Sequence, residues 1–388
     1  MRGNSSPYNA FFRPRPGFKF WACSPRFQGI LRLTPTLTPT STLSHPLNAA
    51  SYTRGGALVD VLAQRIALLD GAMGTQIQLL KLTEAHYRGA RFKDLTQSVQ
   101  GNNELLNLTS THLIEDIHER FLQSGVDILE TNTFGATRIA QQDYDLADWA
   151  YEMNVAGAQL ACRARDRYTT PSHPRFVFGA LGPTPKTASI SPDVADPGAR
   201  NVDFETLRLS YFEQVSALVE GGVEGLILET IFDTLNAKAA LFAIDEYFDQ
   251  THQRLPLIIS GTVTDASGRI LSGQTVSAFW LSVRHARPLA VGLNCALGAA
   301  LMRPYLQELS QAAPDTYICC YPNAGLPNPM SETGFDETPE VTSALLHEFA
   351  KQGLVNIVGG CCGTTPQHLF EIGKVMGQEA PRALFRKD

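Results

Sequence analysis

Cys295 ends an apolar run, and the vicinal pair Cys361-Cys362 is flanked by Gly359, Gly360 and Gly363. Thiolates are good zinc ligands, and a catalytic zinc uses three protein ligands and keeps a fourth position for substrate or water. Neighbouring residues of a regular strand point to opposite faces, so a vicinal pair shares one ion only where the backbone bends. The flanking glycines permit that bend. A metal that already receives three thiolate charges is a weak activator of water. It suits binding a substrate thiol in the open position and lowering its pKa. The chemistry implied is alkyl transfer to a thiol, with the metal taking over deprotonation. Singly, each cysteine also reads as a small buried hydrophobe; the convergence of three favours Zn2+.

Cys319 and Cys320 lie inside an apolar run with no glycine beside them and read as core, while Cys162 and Cys23 read as structural or incidental. Asp70 opens Asp-Gly-Ala-Met-Gly-Thr and either serves chemistry or caps a helix starting near Ala72. Glu229 ends an apolar run, where a carboxylate is costly unless paired, and is expected to be functional. Thr131, Asn132 and Asn323 are expected only to tie loops. His285, His347 and His368 are expected at the surface or in packing. The segment 183–202, rich in Pro, Ser and Asp, reads as a mobile lid or an ordered rim.

These residues need a frame. Eight short apolar runs recur along the body: 66–70, 126–131, 176–181, 225–229, 257–262, 290–294, 317–321 and 355–359. Continuous hydrophobicity suits strands buried on both faces, as in a parallel sheet. Between and after them lie amphipathic stretches at 111–123, 147–167, 204–220, 234–248, 276–285, 301–312, 338–352 and 366–376. The pattern predicts an α/β fold, a (β/α)8 TIM barrel, with a doubly wound sheet as the structural alternative. In a barrel, the polar and Gly-rich segments after each run collect on one rim, where barrel chemistry sits.

Residues 1–59 hold seven basic residues and no Asp or Glu, within a chain of 32 Lys plus Arg against 38 Asp plus Glu. The body is therefore strongly acidic, which argues against a nucleic-acid partner. The leader, with its Thr/Pro run at 34–42, is expected to be disordered. Its composition resembles a transit peptide, although its proline content opposes an amphipathic helix; an early start codon or an inert tail explains it equally. The expected division is a disordered extension over 1–59, one barrel domain over 60–382 and a tail over 383–388. No run of about 18 apolar residues is present, so no membrane span is expected. Seven cysteines, an odd number with two adjacent pairs, point to reduced thiols and a cytoplasmic location.

The segments LLDGAMGTQIQ (68–78), ETNTFGAT (130–137), GPTPKTASISPDV (182–194), DTLNAKAA (233–240), SGTVTDASGR (260–269), GLNCALG (292–298), PNAGLPN (322–328) and NIVGGCCGTTPQH (356–368) closely resemble the homocysteine-binding domain of cobalamin-dependent methionine synthase. The resemblance runs from about Leu62 to Arg382. It implies a (β/α)8 barrel in which Cys295, Cys361 and Cys362 hold zinc and homocysteine completes the coordination. It also implies that Asp70 and Glu229 bind the homocysteine amino group. Backbone N–H groups of the Gly71, Ala72, Met73 and Gly74 turn would hold its carboxylate, and an exposed turn of amides is a sensible anion site.

Full synthases of this kind continue into folate, cobalamin and reactivation modules that do not follow here. The expectation is therefore the homocysteine half of a split synthase, with methylcobalamin on a partner chain that also binds folate, or a fragment. The alternative is a stand-alone homocysteine methyltransferase using S-methylmethionine, S-adenosylmethionine or betaine. From other classes, a zinc-bound scaffold would need a fourth protein ligand, and a barrel aldolase would need a strand-end Lys that none of the eight runs supplies.

Overall fold

The computed structural model describes residues 49–264 and 267–385. Eight strands form: β1 (Ala67–Leu68), β2 (Ile128–Glu130), β3 (Phe176–Leu181), β4 (Gly225–Ile231), β5 (Leu257–Gly261), β6 (Ala290–Gly298), β7 (Tyr317–Asn323) and β8 (Ile357–Val358). All pair in parallel in the order β1-β8-β7-β6-β5-β4-β3-β2, and a parallel bridge between Leu69 and Ile128 joins the two ends. The sheet closes into a (β/α)8 barrel, and the doubly wound alternative is excluded.

The eight apolar runs all became strands, β3 with unchanged bounds and the others with adjusted ends. β1 and β8 span only two residues each, although bonds to the neighbouring strands continue past them: Asp70 N donates to Ile128 O and Gly359 N to Cys320 O, both at 3.0 Å. Strands β4, β6 and β7 extend past their apolar runs, since polar rim residues go on pairing with their neighbours. Helices occupy Thr111–Gln123, Ala150–Tyr168, Phe204–Glu220, Thr234–Thr251, Val276–Val283, Ala299–Ala312, Pro339–Lys351 and Pro366–Met376. Several start on local signals: Asp203 accepts from Thr206 N at 2.7 Å, Asp233 accepts from Leu235 N at 2.8 Å, and Pro339 and Pro366 occupy the first turn.

Two cores result. Alternate strand residues, among them Leu69, Ile128, Phe178, Ile227, Ile258, Cys319, Tyr321 and Ile357, form an inner cluster. Their neighbours on the other face, among them Leu129, Val177, Leu228, Ile259 and Cys320, pack with the helices. The split places Cys319 and Cys320 on opposite faces, both fully buried, as core residues.

The expected boundary of the extension is corrected. A helix spans Ala57–Gln64, and its Leu58, Val59, Val61 and Leu62 are buried in the inner cluster. Thr53 N donates to Arg254 O at 2.9 Å. Residues 49–59 thus belong to the barrel, because an apolar helix that fills one end of it outweighs the basic composition. The expected disorder over 1–48 lies outside the described residues. The tail is corrected as well: Leu384 packs on the inner cluster and Phe385 N donates to Pro314 O at 3.0 Å. Among the described residues, no helix is long and apolar enough to cross a membrane.

Candidate metal centre

Cys295 sits within β6, where the pairing register with β7 shifts between Asn294 and Gly298. Both Cys295 and Ala296 adopt left-handed backbone, with φ of 57° and 55°. Such a bulge re-aims side chains at barrel rims. Cys361 and Cys362 lie just beyond β8 in a turn: Thr364 N donates to Cys361 O at 3.0 Å, and Gly363, at φ 83°, takes the position only glycine occupies without strain. Cys361 N donates to Pro322 O and Ala324 N to Cys362 O, which anchors the turn to β7. The vicinal pair therefore converges because it forms part of a turn, as the glycine argument required, with the decisive bend at Gly363.

The Sγ atoms of Cys295 and Cys362 are 3.9 Å apart, those of Cys361 and Cys362 4.0 Å, and all three lie within 4.8 Å of one another. A tetrahedral ion with metal–sulfur bonds of about 2.3 Å spaces its sulfurs by about 3.8 Å, so the trio fits such an ion. Among the described residues, no fourth His, Cys, Asp or Glu joins the group. His285, His347 and His368 stay apart from it. His368 Nδ1 caps its own helix beside Thr365, and His347 pairs with Glu379 at 2.9 Å.

The neighbouring thiols of Cys361 and Cys362 draw the Cys295 pKa down to about 3, and Asn323 adds to the shift. The same proximity, with burial, pushes Cys361 and Cys362 up, the latter to about 12.

Beside the sulfurs lies a group of buried carboxylates from β1, β2 and β4. Asp70 does not cap a helix. Its Oδ2 accepts from Glu130 N at 3.1 Å, its Oδ1 is buried without a partner among the described residues, and the helix Met73–Leu79 starts without a side-chain cap. Glu130 Oε1 is likewise buried and unpartnered among the described residues. Burial and mutual repulsion push Asp70 and Glu229 well up, and burial pushes Glu130 up to about 8. Cys295 is close enough to add to the shift of Glu229. The Tyr321 hydroxyl faces Glu229 and favours its charged form, without a hydrogen bond of ordinary geometry.

The Gly71–Gly74 turn is adjacent. A Cβ at Gly71 would meet Thr364 Oγ1 at 2.7 Å and Phe121 at 2.9 Å, so the chain passes there only as glycine. Of its amides, that of Ala72 donates to Thr364 Oγ1 at 3.2 Å.

The sequence profile of the homocysteine S-methyltransferase family matches residues 67–376. The chain belongs to that family. This family member is also similar in structure to the homocysteine methyltransferase MmuM from Escherichia coli. The metallated form of that protein matches with a TM-score of 0.61 at 21% identity, and the oxidised form with 0.62 at 20%. Each match covers 82% of this chain and 98% of the other. At that identity the likeness establishes the shared barrel.

For this methyltransferase-family barrel, sequence reasoning missed Glu130, Asn294 and Tyr321 and assigned Asn323 no role. Glu130 carried the same signal as Glu229, a carboxylate closing an apolar run. Asn323 lies close enough to Cys295 to lower its pKa, whereas Thr131 and Asn132 tie backbone segments together: Ala180 N donates to Thr131 Oγ1 at 3.0 Å, and Asn132 Nδ2 donates to Asn103 O at 2.8 Å. Segment 183–202 forms a rim pinned to the helix after β4, with Ala188 N on Asn236 Oδ1 at 2.8 Å and Ser189 N on Asp233 Oδ2 at 3.2 Å.

Proposed function

We propose that this chain methylates the sulfur of homocysteine to form methionine, as the zinc-dependent homocysteine barrel of a split cobalamin-dependent methionine synthase. The observation that carries this reading is the adjacency of three converging cysteine sulfurs and three buried carboxylates, of which Asp70 and Glu130 each keep an oxygen unpartnered among the described residues. A ligand that satisfies both has a thiol at one end and an ammonium at the other, as an amino-acid thiol does. Cys295, Cys361 and Cys362 would hold Zn2+, which when bound supplies the Lewis acidity that turns a substrate thiol into a thiolate at neutral pH. Asp70 and Glu229 take the ammonium and remove it from water beside the sulfur. Within the turn, the amides of Gly71, Met73 and Gly74 take the carboxylate, and Ala72 locks the turn to Thr364. The chain's residues thus bind and orient the nucleophile. In this reading methylcobalamin, on a separate chain that also binds folate, would be the source of the methyl group.

The test is to supply the purified, zinc-loaded chain with homocysteine and, in separate reactions, methylcobalamin, S-methylmethionine, S-adenosylmethionine or betaine. Methionine formed with methylcobalamin supports the split-synthase reading. Turnover with a sulfonium or betaine donor alone overturns it in favour of a stand-alone methyltransferase.

A further inference from the structure

Asn294 precedes Cys295 and is fully buried. Its side-chain oxygen accepts from Thr230 N at 3.1 Å and from the Ser260 hydroxyl at 2.7 Å, and its side-chain nitrogen donates to Thr230 Oγ1 at 2.8 Å. The Thr262 hydroxyl donates to its backbone oxygen. Thr230, which follows Glu229, has φ of 54°, an outlier for a β-branched residue. The ladder between β4 and β5 shifts register there, between Leu228 and Ile231, as the ladder between β6 and β7 shifts beyond Asn294. Two left-handed bulges therefore face each other across β5. One aims Glu229 and the other aims Cys295, and the Asn294 amide joins them. Backbone strain of this kind persists only where its surroundings over-determine it.

We propose that Asn294 is a positioning residue that fixes the span between Cys295 and Glu229, and through that span selects thiols carrying an ammonium at homocysteine's distance from sulfur. The proposal rests on the reading of the site given above. Without the amide, Thr230 loses both bonds that hold its left-handed backbone and Glu229 is no longer aimed. The cysteines keep anchors that do not need the amide: the Cys361-Cys362 turn is held by β7 and Thr364, and the backbone just before Cys295 is held by the Thr262 hydroxyl on Asn294 O. The thiol end survives while the ammonium end is lost.

The experiment is calorimetric titration of the zinc-loaded full chain with homocysteine and with 4-mercaptobutyrate, which lacks only the amino group. In the wild type homocysteine binds the tighter. In Asn294→Ala, zinc stays at one per chain, 4-mercaptobutyrate binds as before, and homocysteine weakens by about tenfold, the order expected for one lost charge-assisted contact. Thr230→Val removes only the Oγ1 that Asn294 reaches; it shifts the ratio in the same direction by less and serves if Asn294→Ala fails to fold. Equal weakening of both thiols, an unchanged ratio, or loss of zinc in the variants overturns the proposal. A wild type that fails to tell the two thiols apart instead overturns the reading of the site itself.

Discussion

Asp70 Oδ2 accepts the backbone N–H of Glu130 at 3.1 Å, which ties Asp70 to the neighbouring strand, and among the described residues one carboxyl oxygen of each residue is buried without a partner. Buried anions are expensive without a cation or a proton, so at least one of the group keeps its proton near neutrality.

That cost has a measurable sign. Burial raises Glu130 to about 8, so between its ordinary value and 8 the folded state binds a proton that the unfolded state has released. Stability therefore falls as pH rises through that window. Glu130→Gln, which keeps the neutral shape, should match the wild type near pH 5 and exceed it by roughly 2–4 kcal/mol at pH 9 in urea unfolding of the metal-free protein. A variant less stable than wild type at pH 9 would show that the Glu130 charge is compensated.

The metal assignment separates the cysteines into two groups. Cys295→Ala, Cys361→Ala and Cys362→Ala should each lose stoichiometric zinc and activity together. Cys319→Ala and Cys320→Ala, on opposite faces of β7 and fully buried, should keep zinc and lose about 1 kcal/mol of stability to a small cavity. Zinc retained in any of the first three, measured by elemental analysis after dialysis, counts against the trio.

How far the sequence led depends on whether the cause was local. Strand β3 and the helices Thr111–Gln123, Phe204–Glu220 and Pro366–Met376 have the bounds that apolar patterning predicts, because period and caps act over a few residues. The leader was overdrawn because Asp60 is the first acidic residue, while the apolar face Leu58, Val59, Val61 and Leu62 before and after it is what decides packing. At the site, Cys361-Cys362 was legible through its glycines. Asn294 was not, since its bonds to Thr230 and Ser260 join strands 64 and 34 residues apart and leave no trace in local pattern.

His118 gives a second pH signature, of opposite sign. It is buried in the helix Thr111–Gln123 with neither ring nitrogen hydrogen-bonded among the described residues, and burial lowers its pKa to about 4. Below its unfolded value the unfolded chain takes up a proton that the folded chain refuses, so stability falls as pH drops from about 6.5 toward 4. Between pH 6.5 and 5 that is about 2 kcal/mol, and His118→Leu should lose that much of the acid sensitivity seen in wild-type urea melts. An unchanged slope in the variant would mean the ring is protonated in the folded state.

Asp127 tests the opposite end of the barrel. It is fully buried at the start of β2, accepts two bonds from Arg65 at 2.6 and 2.8 Å, one from Leu68 N at 2.8 Å, and pairs with His173 Nε2 at 2.8 Å. Burial alone would raise its pKa, but the Arg65 and His173 bonds outweigh it and hold the carboxyl below its ordinary value. Its contribution is therefore present above the unfolded carboxylate pKa and lost as pH falls through the folded one. Asp127→Ala strips the partner from Arg65 and leaves Leu68 N–H unbonded, so it should cost about 3–5 kcal/mol at pH 7. Because β2 delivers Glu130 three residues later but no cysteine, zinc stoichiometry should be unchanged. A loss below about 1 kcal/mol in guanidinium melts would mean that the Arg65 pair is no stronger than an exposed one.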